Sequence, residues 1–107
     1  MKNAVPTFWA EILIAGDVHD ATRICREYCG CGLCVTVQSA EYVYTGGSQS
    51  GVIVRLINYP RFPADRETIL DHANALAERL RAGLFQDSYS VMTPEETRWY
   101  SRREAAE

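Results

Sequence analysis

Gly51-Val-Ile-Val-Arg-Leu-Ile-Asn-Tyr59 is the stretch whose reading decides the fold. Its side chains alternate with a period of two. Val52, Val54 and Leu56 take one face, and Ile53, Ile57 and Tyr59 take the other with Arg55 among them. Branched side chains of this kind pack well on a pleated surface, so the run reads as a strand. Pro60 and Pro63 end it and hold Arg61-Phe62 between them in an extended loop.

Working backwards, Gly46-Gly47-Ser48 marks a turn, and Glu41 to Thr45 is rich in β-favouring residues. Leu33 to Val37 alternates as well, which makes a strand on the far side of that turn. Between this strand and the first helix lies Cys25-Arg-Glu-Tyr-Cys-Gly-Cys-Gly-Leu-Cys34, which holds all four cysteines. The helix is expected from Val18, with Asp17 as N-cap, Ala21, Ile24, Cys25 and Tyr28 at helical spacing, and Gly30 as a left-handed stop. Before it, Phe8 to Ala15 alternates with both faces largely apolar, as suits a central strand.

Working forwards, Asp65 opens the longest helix. Its stripe is Ile69, Ala73, Leu76, Ala77, Leu80 and Leu84, and Gly83 stands as its C-cap. Ser88 to Met92 is a fourth short strand. For the tail two readings stand. Thr93-Pro94-Glu95-Glu96 has the form of a helix-opening capping box, while the alternation of Thr97, Trp99 and Ser101 with Arg98 and Tyr100 makes Pro94–Glu96 a tight turn into a fifth strand. The hairpin is preferred. The order strand, helix, strand, strand, helix, strand gives an α+β, ferredoxin-like βαββαβ fold. Its antiparallel sheet carries two helices on one face and places the first and third strands at the centre. Residues 1–107 are expected to form one domain, with 1–7 and 104–107 loose.

The chain has 107 residues, 47% of them hydrophobic, which supplies a core without disulfide staples. Its net charge of −3 argues against nucleic-acid or acidic-membrane binding, both of which call for clustered Lys and Arg. The run Phe8–Ala15 is too short to span a bilayer and carries Glu11, and little basic charge precedes it, so neither a membrane span nor a signal peptide is expected. The expected compartment is the cytoplasm, where thiols stay reduced.

Cys25, Cys29, Cys31 and Cys34 have the spacing C-x3-C-x-C-x2-C. Structural zinc usually takes two knuckles well apart in sequence, and only Cys31–Cys34 has knuckle spacing. The leading expectation is therefore no cofactor, with Cys25 in the core. The alternative is a zinc-binding or redox-sensing domain using all four thiols. His19 and His72 each stand beside an aspartate, with no partner the sequence identifies. No nucleophile elbow, phosphate loop or paired carboxylates are present. RNA-recognition modules share this topology but put stacking aromatics on the two central strands, where the third strand here offers Val, Ile and Leu.

On the second sheet face Trp9, Leu13, Ile53, Ile57 and Tyr59 come together, an apolar patch that calls for a cover. A homodimer is the expected cover. Exposed aromatic and arginine residues dominate binding hot spots, which singles out Trp9, Tyr59, Arg61, Phe62 and Trp99. GVIVRLINYPRFP and TPEETRWYSRRE, with CGLCVTV and YVYTGG, resemble small proteins of unknown function from tailed phages and prophages. That resemblance implies a viral accessory protein acting by binding and supplies no catalytic residues. The expectation is thus a non-enzymatic protein that binds an unidentified protein partner. A further alternative is a small-molecule sensor using the Gly16-Asp17 loop.

Overall fold

Alternation in the Gly51 run becomes strand β3 (Gly47–Ile57), whose Val52, Val54 and Leu56 are buried against two helices. In the computed structural model, which describes residues 2–103, β3 lies beside β1 (Trp9–Ala15), and the two pair antiparallel from Trp9↔Ile57 to Ala15↔Gly51. Helix α1 (Val18–Tyr28) follows β1 and closes in one 3-10 turn, Cys29–Cys31. Then come β2 (Thr36–Tyr44), α2 (Arg66–Gly83), β4 (Ser88–Met92) and β5 (Thr97–Ser101). The sheet order is β2-β3-β1-β4-β5, so β1 and β3 are central among the first four strands, as the ferredoxin-like arrangement requires. Thr93 closes the last turn by donating its backbone N–H to the Glu96 carbonyl, which makes Thr93–Glu96 a hairpin turn and not a helix start.

The core forms between one sheet face and both helices. Ala10, Ile12 and Ile14 of β1 meet the α2 stripe Ile69, Ala73, Leu76, Ala77, Leu80 and Leu84, all buried. Truncating a leucine such as Leu76 to alanine in such a layer costs about 2–5 kcal/mol. Both helices start where a side chain accepts an otherwise orphaned backbone N–H: Asp17 from Asp20 at 3.0 Å, and Asp65 from Thr68 at 2.8 Å.

Two helix ends differ from expectation. Gly32, not Gly30, adopts the left-handed conformation (φ 102), because the chain tightens through Cys29–Cys31 before it turns. Gly83 is the last residue of α2 rather than its cap, and the positive φ falls on Phe85. Gly83 is needed for a different reason: a Cβ there would lie 2.5 Å from Ile24 Cδ1, so the glycine lets α1 and α2 close on each other. Residues 2–8 carry no regular structure but are not loose throughout, since the Pro6 carbonyl accepts from Asn58 Nδ2 at 2.9 Å. The expectation for 104–107 lies outside the described residues. Among the described residues no helix is long and apolar enough to cross a membrane.

Candidate functional site

The face of the sheet turned away from the helices is built in rows by the strand register. One row reads Thr36, Arg55, Glu11, Met92, Thr97 across the five strands, and the next reads Gln38, Ile53, Leu13, Ser90, Trp99. Ala40, Gly51 and Ala15 form a third, and Tyr42 opposes Gln49 beyond it. Rows two residues apart stand about 7 Å from one another.

Glu11 is the one charged residue buried among the described residues, 8% exposed. Its Oε2 accepts from Arg55 Nε at 2.6 Å and from Arg55 Nη2. A buried carboxylate is costly unless paired, and the direct cross-strand position of Arg55 supplies the pairing. The Arg55 side chain is itself half-exposed, with its guanidinium 6.0 Å from the Trp9 ring. An ion pair thus sits at the centre of the sheet, one half fixed and the other within reach of solvent.

Beside it lies a hollow of about 290 Å³. Its walls include Tyr42 and Trp99, and small residues such as Ala15, Ser88 and Ser90 line it between them. Gly51 is what lets the Tyr42 ring lie down, since a Cβ there would fall 2.5 Å from Tyr42 Cε2 and 2.4 Å from the Ile14 carbonyl oxygen. Folded over this glycine, the Tyr42 hydroxyl donates to the Val52 carbonyl at 2.5 Å. Burial, with the Glu11 charge adding to it, pushes the Tyr42 hydroxyl above its ordinary pKa, so the ring stays neutral at physiological pH. Two aromatic walls, a low floor and an adjacent carboxylate–guanidinium pair suit a flat, cation-bearing ligand.

The residues singled out from sequence divide between two places. Trp9 and Trp99 lie on the open face. Tyr59 and Phe62 line a separate cavity on the helix side, joined by an antiparallel bridge, with the Arg61 guanidinium 5.4 Å from the Phe62 ring. Tyr59 therefore does not belong with Trp9, Leu13 and Ile53, and Ile57 borders its cavity. Regular pairing ends at Ile57, and Asn58 turns the chain by accepting from the Ala64 N–H at 3.0 Å. The Gly16-Asp17 loop lines a shallow pocket of about 470 Å³ with His19 and Glu41, Gly16 donating to the Ser50 carbonyl at 3.0 Å and Asp17 capping α1.

Cys25, Cys29 and Cys34 border one shallow pocket between α1 and β2, and Cys31 lies outside its lining. Cys25 is buried in the core, and its surroundings push the thiol up to about 11; Cys29 is half-buried and Cys31 and Cys34 are exposed. Among the described residues no three His, Cys, Asp or Glu side chains are grouped to hold a metal ion. His72 is a packing residue: its Nδ1 is 2.9 Å from the Tyr28 hydroxyl, which ties α2 to α1, while His19 sits in the exposed first turn of α1.

An open-faced, single-layer α+β sheet with an ion pair at its centre defines the class. No protein-family model matches the sequence, and no curated protein matches it either. Two solved structures do share the fold. One is a phage SAM lyase in its apo state, 17% identical, covering 94% of each chain with a TM-score of 0.74. The other is a phage SAM lyase in complex with S-methyl-5′-thioadenosine, 15% identical, covering 97% of this chain and 96% of that one with a TM-score of 0.66. At these identities the likeness establishes the fold. It also corrects the expectation of a non-enzymatic binding protein, because the solved chains that share the architecture end to end are those of an enzyme.

Proposed function

We propose that the chain is a phage-type lyase that cleaves S-adenosylmethionine and releases S-methyl-5′-thioadenosine. The observation that carries this reading is the end-to-end match to a phage SAM lyase, one structure of which holds that thionucleoside. The open face suits the substrate. Its adenine would stack between Tyr42 and Trp99, a contact worth about 1–3 kcal/mol per base. Its charged end would lie over the Glu11–Arg55 row, with the ammonium toward the carboxylate and the substrate carboxylate toward the exposed guanidinium.

A lyase uses no water, so the γ-carbon that leaves sulfur must be satisfied from within the substrate. The substrate's own carboxylate oxygen can reach it and close a five-membered lactone. The C–O bond forms as the S–C bond breaks, and the electron pair of that bond stays on sulfur as the thioether. No proton is transferred, and charge balances, since the sulfonium is lost together with the carboxylate while the ammonium persists. The protein's task is then to hold the substrate folded, with oxygen and carbon at near-attack distance, which can be worth about 7–11 kcal/mol. No general base is needed, in keeping with a carboxylate already engaged by Arg55.

The test is incubation of purified protein with S-adenosylmethionine, reading S-methyl-5′-thioadenosine by chromatography. Turnover above the buffer rate is expected. Trp99→Ala, at an exposed position, should lower kcat/KM by about tenfold or more through lost stacking. Absence of product above background, together with no shift of melting temperature by substrate or product, would refute the proposal.

A further inference from the structure

On the opposite side of the sheet from the proposed catalytic face, a cavity of about 520 Å³ lies under the segment from Tyr59 to Pro63. Its volume falls within the range of about 300–1,000 Å³ that holds small molecules. Leu33, Leu56 and Ile69 form apolar walls, and the rings of Tyr59 and Phe62 stand at its mouth. Among the described residues no aspartate, glutamate, lysine or arginine lines it. Polar capacity comes instead from neutral groups. Thr68 and His72 both line it, Thr68 with its side chain hydrogen-bonded to the helix-capping Asp65 and His72 with its Nδ1 already engaged by the Tyr28 hydroxyl. At the rim the Cys34 thiol and the Tyr59 hydroxyl lie 3.6 Å apart.

The cavity is held open before any ligand arrives. Asn58 pins both ends of the overlying strap, donating from Nδ2 to the Pro6 carbonyl at 2.9 Å and accepting the Ala64 N–H at 3.0 Å. Within the strap the Phe62 N–H donates to the Tyr59 carbonyl at 3.0 Å. A preformed cavity avoids the ordering cost that a collapsed one imposes on binding.

We propose that this cavity is a second binding site, for an uncharged, planar heteroaromatic molecule of nucleoside size. Charge is the discriminating feature. A sulfonium or phosphate brought under the strap would be desolvated against apolar walls, with Arg61 outside over the Phe62 ring and not in the lining, whereas a neutral base can lie against Tyr59 and Phe62 and exchange hydrogen bonds with His72. If the chain is the lyase proposed above, its neutral thionucleoside product meets this description and its cationic substrate does not. The site therefore offers a product-sensing position apart from the catalytic face. The proposal stands on the cavity itself and is tested without turnover.

Adenosine is the probe, and three measurements decide the matter. Calorimetric titration should show a component of binding that persists in Trp99→Ala, where stacking on the catalytic face is lost, and that Thr68→Phe, at an exposed position of α2, weakens by about tenfold or more. Adenosine 5′-phosphate should bind more weakly than adenosine. Adenosine should also slow alkylation of Cys34 by iodoacetamide in the unmodified protein while leaving Cys31 unaffected; both thiols are exposed, and Cys34 alone of the two lines the cavity. Binding abolished by Trp99→Ala, tighter binding of the phosphate, or equal alkylation of Cys34 with and without adenosine would each overturn the proposal. The alkylation arm holds even if Thr68→Phe fails to fold. Failure of the lyase reading shows separately, as absent turnover with this binding intact.

Discussion

The Glu11–Arg55 pair is asymmetric, and the asymmetry makes an unequal prediction for its two halves. The Glu11 side chain is 10% exposed and that of Arg55 54%. Arg55→Leu strands a nearly buried carboxylate without its partner, the kind of change that costs about 3–5 kcal/mol. Because the site borders solvent, the lower end applies, about 3 kcal/mol. Glu11→Gln instead leaves an arginine able to swing into water, so only a partly exposed pair is lost, worth about 1 kcal/mol or less. The double variant removes both charges and should be more stable than Arg55→Leu alone, because the stranded carboxylate is gone. The assay is urea unfolding followed by far-ultraviolet circular dichroism, checked by melting temperature, where about 3 kcal/mol corresponds to a drop of roughly 12 °C or more in a domain of this size. Equal costs for the two single variants would refute the reasoning. So would a double variant no better than Arg55→Leu, since either result would mean that Glu11 is not held by Arg55 in a site that water barely reaches.

Two other outcomes follow from close packing and from burial of a thiol. Gly51→Ala places a methyl group 2.4 Å from the Ile14 carbonyl oxygen and 2.5 Å from the Tyr42 ring, and the backbone of a central strand cannot move aside. A loss of about 1–3 kcal/mol in urea unfolding is expected, and a neutral substitution would show that Tyr42 does not lie over this glycine. Cys25 is raised in the folded state from 9.0 to about 11, chiefly by burial with the neighbouring Cys29 adding. Its contribution is fully present below about pH 9 and is lost as pH rises toward 11, because the unfolded chain releases the proton first. Two units limit the loss to about 3 kcal/mol. The protein should therefore lose more stability than Cys25→Ala between pH 8 and 10.5 in parallel melts, and parallel slopes would contradict this.

Most of the fold was legible because it is written in short-range patterns. The two-residue alternation of Val52, Val54 and Leu56 and the α2 stripe from Ile69 to Leu84 each specify a buried face locally, and both faces are buried as read. Helix ends were less legible. A glycine near a helix terminus has more than one use, and Gly83 serves a helix–helix contact with Ile24 that sequence spacing does not reveal. The candidate site was hidden for the same reason at longer range. Glu11 reads as a blemish in an apolar strand and Arg55 as one in another. Only the register that places them opposite each other, 44 residues apart, turns two blemishes into a pair. Tyr59 leaves the face that alternation assigns it because β3 ends at Ile57, two residues earlier. A signal was available: a charge in the middle of each of two neighbouring central strands asks for a partner, and the nearest partner is the other.

Why the proposed chemistry belongs on the open face, and not in the better enclosed helix-side cavity, follows from what happens to charge along the reaction. S-adenosylmethionine carries a permanent positive sulfur that disappears as the S–C bond breaks. A bare carboxylate aimed at that sulfur would hold the ground state more tightly than the transition state and so would slow the step. The apolar cavity would err the other way and refuse the cation altogether. Glu11, already neutralised through its Oε2 by Arg55, lies between these extremes. It keeps the face hospitable to a cation while its own charge is largely answered, so little attraction is lost as the sulfonium vanishes. Arg55, half in solvent, can turn toward the substrate's carboxylate without leaving Glu11. In this account the ion pair neither donates nor removes a proton. It supplies a nearly charge-balanced floor on which a folded substrate reacts with itself, while the rings of Tyr42 and Trp99 fix the end of the molecule that does not change.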